Sequence, residues 1–201
     1  MVHINWYLCN GNQIQSKYMQ KKRRLVVLSD LWGWERADWL TYYLDQLQGV
    51  YDITCYDSCS LGNVSTTDRN ETALYAQFME GGLETAVSRL LELESAIASQ
   101  DNRPVDVLAF SIGGTIAWKA CLSGLEAHRI FALSSTRLRY ETVLPAAGIY
   151  LYYGETDPYK PDEVWMRQMN LSCRIFPETG HLLYRESIFA SQVCRDILNG
   201  V

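Results

Sequence analysis

A serine follows directly on a short apolar run near the middle of the chain. The run extends from Val105 to Ala109, and residues 109–114 read AFSIGG. This order predicts a buried strand that turns sharply into a helix, with Ser111 at the apex of the turn. So tight a turn needs small residues two places before and two places after the serine, and Ala109 and Gly113 are small. The hydroxyl would then lie at the edge of a sheet, facing the N-terminus of a helix that favours negative charge.

Two further polar turns close apolar runs downstream of this serine. Residues 154–158 read GETDP and contain Asp157, and residues 178–181 read ETGH and end on His181. Serine, aspartate and histidine therefore each fall just beyond a predicted strand. In a catalytic triad the histidine takes the proton of the serine and the aspartate orients the histidine. We predict that these three side chains meet at one edge of the sheet.

Short apolar runs alternate with longer amphipathic segments from Leu25 onward. The runs predict strands at residues 25–28, 51–56, 105–110, 130–133, 149–153 and 173–176. The segments between them predict helices at residues 35–48, 71–80, 83–100, 112–122, 161–169 and 183–198, with the longest loop at 57–70. Such alternation is typical of a mostly parallel sheet covered by helices. We predict an α/β fold, a three-layer α/β/α sandwich with about six to eight strands, in one domain over residues 1–201.

The first twenty residues do not follow the alternating pattern. Asn10-Gly11, a pair that favours a type I′ turn, separates residues 3–9 from residues 12–19. One interpretation is a β-hairpin over residues 1–20 that adds antiparallel strands to an edge of the sheet. The alternative is a frayed N-terminus without regular structure.

The composition narrows the class of partner. A net charge of −5 argues against a nucleic-acid-binding protein, which normally carries a basic surplus. No apolar stretch is long enough to span a membrane, and the first residues lack the features of a signal peptide, so we expect a cytoplasmic protein. The six cysteines form no CxxC pair, which predicts free thiols and no metal site. The basic run at residues 21–24 is read as a solvated strand entrance or as a partner patch.

Taken together, these features resemble the α/β-hydrolase superfamily over nearly the whole chain. The resemblance rests on the strand order, the Ser111 turn, Asp157 followed by Pro158, and His181 in a Gly-His turn. It implies a small serine hydrolase without a lid. Many members place His-Gly-x after the first parallel strand, whereas this chain has Ser29-Asp30-Leu31. The Asp30 carboxylate either lies near the expected oxyanion or caps a helix beginning near Glu35.

The resemblance also implies the chemistry of the site. Ser111 would attack an acyl carbonyl while His181 removes its proton and Asp157 orients the imidazole. The backbone N–H groups of Ile112 and Leu31 would bind the oxyanion. Water would then release the acyl group, and the mechanism needs no cofactor.

Fewer residues point to the substrate. Only about 15 residues separate Leu133 from Ile149, too few for a large lid, so we expect an open or shallow site unless a second chain covers it. Trp32 and Trp34 are candidates for an apolar wall, or they pack against the following helix. Arg137 and Arg139 follow a strand at the ligand-binding rim, where they would hold a carboxylate or a phosphate, or form a solvated charge pair.

Three functions therefore remain open. The first is hydrolysis of a carboxylic ester or thioester of a small acyl group. The second is an acyl-carrier or coenzyme A thioesterase, for which Arg137 and Arg139 are the support. The third is a hydrolase-like binding protein without activity, which Asp30 keeps open. Taken singly, Ser111 is a plausible helix cap and Asp157 a common turn residue, so the first two functions depend on all three triad residues meeting.

Overall fold

The computed structural model describes residues 22–68 and 70–200, and its centre is a six-stranded sheet. The strands are β1 (Arg23–Leu28), β2 (Tyr51–Tyr56), β3 (Val105–Phe110), β4 (Ala127–Leu133), β5 (Gly148–Gly154) and β6 (Cys173–Phe176). They lie in the order β2-β1-β3-β4-β5-β6, and every neighbouring pair is parallel. The predicted α/β fold with a parallel sheet is confirmed. The hairpin predicted for residues 1–20 lies outside the described residues.

The described ranges contain seven α-helices, six between strands and one after β6. They are α1 (Thr41–Leu47), α2 (Ser58–Gly62), α3 (Glu71–Gln77), α4 (Leu83–Ala98), α5 (Ile112–Leu122), α6 (Glu163–Gln168) and α7 (Ser187–Asn199). None of the described helices is both long enough and apolar enough to cross a membrane.

The helices form one layer on each face of the sheet. In β1, Val26 and Leu28 belong to the apolar cluster beneath α4 and α5. The alternate residues, Leu25 and Val27, belong to the cluster that packs beneath α1 and α7. Because successive side chains of a strand point to opposite faces, a sheet covered on both sides needs apolar residues at both sets of positions. This requirement explains the continuous apolar runs that predicted the strands.

The order of the strands determines where the site can form. The chain leaves β1 toward β2 on one side, and β3 lies beside β1 on the other and continues toward β4. The connections after β1 and β3 therefore diverge and leave a crevice at the carboxyl ends of these strands. Ligands bind at such switch points in open parallel sheets.

Two helices, the first and the last, differ most from their predicted bounds. Residues 35–48 do not form one helix, because two 3₁₀ turns, Gly33–Arg36 and Asp38–Leu40, precede α1. Ala37 between them has φ −112° and ψ 31°, which interrupts the helical hydrogen bonds. The last helix starts at Ser187 rather than at residue 183, since Glu186 is extended.

The helix α2 was missed because it lies inside the predicted loop at residues 57–70. Asp57 caps it by accepting a hydrogen bond from the backbone N–H of Ser60 (2.8 Å). The predicted break at Gly81-Gly82 is confirmed. Gly81 has φ +123°, and a π-helical turn, Phe78–Gly82, joins α3 to α4.

Candidate active site

Ser111 occupies a strained turn between β3 and α5. Its backbone has φ 51° and ψ −117°, a conformation that residues other than glycine rarely adopt. Its N–H donates to the carbonyl of Leu133 (2.9 Å), which anchors the turn to β4. Strain of this kind persists only where the surrounding structure enforces it, and it is concentrated at functional sites.

The glycines after the serine are required by close neighbours. A Cβ on Gly113 would collide with the backbone carbonyl oxygens of Leu28 and Ser29 at the end of β1. A Cβ on Gly114 would overlap the hydroxyl of Ser135, which follows β4. The sequence requirement for small residues around Ser111 therefore has a direct cause, because α5 starts in contact with both neighbouring strands.

The structure brings the three residues of the predicted triad together. Ser111 Oγ lies 3.1 Å from His181 Nε2, and His181 Nδ1 lies 3.0 Å from Asp157 Oδ2. Ser111 follows β3, Asp157 follows β5 and His181 follows β6, so three loops at the carboxyl ends of the strands supply the set. The distances are those of ordinary hydrogen bonds.

Asp157 is buried and ionised. Burial alone would raise the pKa of its carboxyl. The hydrogen bond and charge of His181 lower this pKa, and so does the backbone N–H of Tyr159, which lies 2.9 Å from Oδ1. Together these effects outweigh burial and hold the pKa below its ordinary value. An ionised carboxylate only accepts hydrogen bonds, so Nδ1 of His181 carries a proton. Nε2 of a neutral imidazole is then the acceptor that faces Ser111.

Ile112 and Leu31 are the residues whose backbone N–H groups are predicted to bind an oxyanion. Ile112 is the first residue of α5, and N–H groups in the first turn of a helix have no partner within the helix. Leu31 follows β1, the strand next to β3. Both residues line the same cleft as Ser111. Their role as oxyanion donors stays a prediction.

Asp30 turns its carboxylate away from this cleft into the protein. Only 1% of the residue is exposed. Oδ1 accepts the N–H of Trp32 (2.9 Å), and Oδ2 accepts the hydroxyl of Tyr184 (3.0 Å) and Nη2 of Arg185 (2.6 Å). The predicted cap of a helix near Glu35 is wrong, because Asp30 caps the turn at Trp32 instead. Arg185 neutralises the charge that placed Asp30 in conflict with an oxyanion.

The bonds of Asp30 also connect two parts of the site. Trp32 belongs to the loop that carries Leu31, whereas Tyr184 and Arg185 belong to the turn that begins at His181. Burial and the nearby Asp30 raise the pKa of Tyr184 well above its ordinary value, so its hydroxyl stays protonated and donates. One carboxylate thereby holds the candidate oxyanion loop against the histidine turn.

These residues open onto a cleft of about 760 Å³, within the usual range for small-molecule sites. Its walls come from five regions: the segment after β1 (Leu31, Trp32, Arg36), the start of α3 (Glu71, Thr72, Tyr75), the segment after β4 (Thr136, Arg139), the segment after β5 (Tyr159) and the His181 turn (Leu182, Tyr184, Arg185). Between β4 and β5 there is one short 3₁₀ turn, Leu138–Tyr140, in agreement with the predicted lack of room for a large lid.

No family model matches the sequence, and no curated protein matches it. Solved structures do match. A protein from Xanthomonas campestris described as a hydrolase of the α/β superfamily gives a TM-score of 0.66 at 18% identity, over 90% of this chain and 100% of the other. The chain has the α/β-hydrolase fold. A serine hydrolase without a lid, also from X. campestris, gives 0.64 at 13% identity, over 89% and 82%.

A third neighbour with the α/β-hydrolase fold is a dienelactone hydrolase-like promiscuous phosphotriesterase from metagenomic libraries. It gives a TM-score of 0.65 at 12% identity, over 89% of this chain and 86% of that chain. At these identities the likeness shows the fold alone.

The two predicted tryptophans separate in the structure. Trp32 lines the cleft, in accordance with the predicted apolar wall. Trp34 does not line it. Its side chain packs against the apolar cluster on the other face of the sheet. Its backbone N–H donates to the carboxylate of Asp57 (2.7 Å). The structure therefore places Trp34 outside the cleft, directly after Gly33, which has φ +64°.

The two predicted arginines separate in the same way. Arg139 lines the cleft, whereas Arg137 does not. Arg137 donates to the hydroxyl of Tyr75 (2.7 Å) and so connects the segment after β4 to α3. The structure therefore places Arg137 outside the cleft, in contact with a residue of the cleft wall.

Sequence reasoning missed Arg36, Tyr75, Tyr159 and the other α3 residues of the cleft. Only Tyr159 carried a signal, since it lies two residues beyond Asp157, and its ring lies edge-on to His181 with centroids 5.0 Å apart.

In the described ranges, no three His, Cys, Asp or Glu side chains cluster as metal ligands would. The five cysteines of those ranges are free thiols.

Proposed function

We propose that the protein hydrolyses carboxylic esters or thioesters of small acyl groups, with Ser111 as the nucleophile. The observation that carries this proposal is the pair of hydrogen bonds that joins Ser111 Oγ to His181 Nε2 (3.1 Å) and His181 Nδ1 to Asp157 Oδ2 (3.0 Å). A serine, an acceptor nitrogen and an orienting carboxylate in this order form the arrangement that activates a hydroxyl.

The first half of the reaction forms an acyl-enzyme. Ser111 Oγ attacks the acyl carbonyl while His181 Nε2 takes the hydroxyl proton, and Asp157 stabilises the imidazolium that results. The N–H groups of Ile112 and Leu31 donate to the carbonyl oxygen as it becomes negative. His181 then gives its proton to the departing alcohol or thiol, the bond between the acyl carbon and the leaving group breaks, and the acyl group remains on Ser111.

The second half repeats these steps with water. His181 removes a proton from a water molecule that attacks the acyl-enzyme, and the proton returns to Ser111 Oγ as the acid leaves. The cleft of about 760 Å³ has room for a small acyl ester and its leaving group.

The environment of Asp30 favours this function over a binding protein without activity. A free carboxylate beside the oxyanion would oppose the negative charge that develops there. Asp30 is bonded instead to Tyr184, Arg185 and the N–H of Trp32, and it does not line the cleft. Similarity to a serine hydrolase without a lid adds support from the fold, although fold alone does not assign an activity.

The test is turnover of p-nitrophenyl acetate and butyrate and of the matching thioesters of N-acetylcysteamine. We expect the wild-type protein to hydrolyse at least one of these, and Ser111→Ala to lower kcat/KM by about 10⁴-fold or more. The matched control is Ser123→Ala, since Ser123 is exposed at the other end of α5. Its kcat/KM should stay within about twofold of wild type.

The same variants decide against the proposal if the outcome differs. Wild-type turnover no greater than that of Ser111→Ala, in protein whose circular dichroism shows a folded domain, would contradict it. The binding protein without activity would then be the better account of the site.

A further inference from the structure

The charge of the cleft is opposite in sign to that of the chain. The whole chain carries −5, yet among the described residues that line the cleft are three arginines, Arg36, Arg139 and Arg185, and one acidic residue, Glu71. A basic lining in an acidic protein does not follow from composition. It raises the question of which of these charges is already neutralised.

Among the described residues, Arg185 is the one cleft arginine with an acidic ion-pair partner. Its guanidinium forms an ion pair with Asp30 (2.6 Å). Within residues 22–68 and 70–200, no carboxylate lies at ion-pair distance from Arg36 or Arg139. Arg36 lies over the ring of Trp32, with its guanidinium carbon 5.0 Å from the ring centroid. Two positive charges in the cleft therefore form no ion pair with a carboxylate of the described residues.

Arg139 is held in place without being neutralised. Its Nη1 donates to the backbone carbonyls of Thr136 (2.6 Å) and Tyr159 (2.9 Å), and its Nη2 donates to the hydroxyl of Tyr140 (3.1 Å). All three acceptors are uncharged. A guanidinium has five N–H donors, so two remain for a ligand. Because its position is already fixed, binding an anion there costs little conformational entropy.

Arg139 also lies close to the triad. Its guanidinium carbon lies 5.4 Å from the centroid of the Tyr159 ring, and the same ring lies edge-on to His181 at 5.0 Å. The hydroxyl of Thr136, on the same wall, is buried with no hydrogen-bond partner among the described residues. The wall thus combines a fixed positive charge, free N–H donors and a spare hydroxyl.

We propose that the cleft accepts acyl substrates that carry an anionic group, a carboxylate or a phosphate, and that Arg139 binds this group. The inference rests on the proposed ester or thioester hydrolysis. A planar guanidinium binds the two oxygens of either anion side by side. Arg36 lies in the segment after β1, on the other side of β3, and adds positive charge at the opposite wall. The anion belongs either to the far end of the acyl chain or to the leaving group.

Two matched pairs of substrates distinguish these sources. Mono-p-nitrophenyl adipate carries a carboxylate on the acyl chain, and p-nitrophenyl heptanoate is its neutral counterpart. Butyryl-coenzyme A carries phosphates on the leaving group, and S-butyryl-N-acetylcysteamine is its neutral counterpart. We expect the wild-type kcat/KM to be higher for the charged member than for the neutral member of one pair. That pair identifies whether the anion lies on the acyl chain or on the leaving group.

Variants of the arginine then test its role. Arg139→Gln should lower kcat/KM for the favoured anion by about 10- to 100-fold, mainly through KM, because a charge-assisted hydrogen bond is lost. For the neutral counterpart the change should stay within about threefold, and Arg139→Lys should restore part of the loss. Arg167→Gln removes the same charge from an exposed residue outside the cleft and should change neither. Equal losses on charged and neutral substrates would overturn the inference.

Equilibrium binding separates this inference from the proposed hydrolysis. In Ser111→Ala, calorimetry with mono-p-nitrophenyl adipate and butyryl-coenzyme A should give a Kd for one of them that Arg139→Gln raises about 10-fold or more. Such a result supports the anionic ligand even if the wild type shows no turnover. If both compounds bind and Arg139→Gln changes neither Kd, the inference is overturned, even if neutral esters are hydrolysed well.

Discussion

At the amino ends of the strands, both carboxylate oxygens of Asp106 accept hydrogen bonds from neighbouring side chains. Its Oδ2 accepts the hydroxyl of Tyr51 (2.8 Å) and Nη2 of Arg129 (2.7 Å), and its Oδ1 accepts Nε of Arg129 (3.2 Å) and lies 3.2 Å from His128. Both Asp106 and Arg129 are buried, and Arg129 also donates to the carbonyl of Ile197 in α7. This cluster joins β2, β3, β4 and α7 through satisfied bonds.

At the carboxyl ends of the same strands, strain and spare bonding capacity remain. Ser111, Ser134 and Glu178 follow β3, β4 and β6, and all three have positive φ values, between 48° and 56°. The hydroxyls of Ser135 and Thr136 are buried without a partner among the described residues.

The amino ends of the strands therefore serve mainly stability, whereas the carboxyl ends serve a ligand site. A satisfied buried ion pair holds neighbouring elements in one arrangement, whereas strained backbone and spare polar groups are retained where they serve a site. Substitutions at the amino end should therefore change stability and leave turnover intact. Substitutions at the carboxyl end should do the reverse.

The largest effect is expected for Asp157→Asn. An amide in place of the carboxylate favours the wrong tautomer of His181, so kcat should fall by about 10³- to 10⁴-fold. The urea midpoint should change little, because the substitution preserves the size of the side chain. Steady-state kinetics with a p-nitrophenyl ester and urea unfolding measure the two quantities. A loss of stability large enough to account for the loss of turnover would contradict the separation between the two ends of the strands.

Asp106→Asn should give the opposite result. It leaves the buried guanidinium of Arg129 without a counter-charge, which is expected to cost about 3 kcal/mol of unfolding free energy. Turnover of the folded variant should stay within about twofold of wild type. Asp45→Asn, which removes the same charge from an exposed residue of α1, is the matched control and should leave the urea midpoint unchanged. An Asp106→Asn variant with normal stability but reduced kcat would contradict the account.

Asp30→Asn tests the boundary between the two behaviours, since Asp30 is a buried ion-pair residue at the carboxyl end. Arg185 is partly exposed, so water screens the lost charge and the cost should be about 1–2 kcal/mol. Because Asp30 holds the Leu31 loop against the histidine turn, kcat should also fall, by about 10-fold, with little change in KM. Unchanged kcat would show that Asp30 stabilises the fold without positioning the site.

The smallest expected effect is on the pH dependence of stability. Burial would raise the pKa of Asp106, but hydrogen bonds from Arg129 and Tyr51 and the positive charges nearby hold it below its ordinary value. Its stabilisation is therefore present above the ordinary carboxyl pKa and is lost as the pH falls through the lowered one. Urea unfolding between about pH 5 and pH 3 should show a shallower decline for Asp106→Asn than for wild type. An equally steep decline would contradict this role of Asp106.

Much of the sheet and the geometry of the triad could be predicted because their signals are local. The runs 105–110 and 149–153 mark their own strands, and the small residues around Ser111 mark their own turn. Parallel strands then bring their carboxyl ends to one edge, which is enough to place Asp157 and His181 near Ser111.

The rest of the site depends on contacts between distant segments. Asp30 and Arg185 are 155 residues apart in the chain, so no local pattern indicates that one neutralises the other. Whether Arg137 or Arg139 faces the cleft depends on the path of the segment after Ser134, which starts at a positive φ and includes a 3₁₀ turn. The α3 wall was missed because α3 reaches the cleft only through the tertiary packing of residues 57–82.

Labelling with a fluorophosphonate probe is the direct test of Ser111 as nucleophile, since the probe reacts with an activated serine. Intact mass and peptide mapping should show one adduct, on Ser111, in the wild-type protein and in Ser123→Ala. Ser111→Ala should show none. Folded wild-type protein that stays unlabelled, or that is labelled equally in Ser111→Ala, would contradict the assignment of Ser111 as the nucleophile.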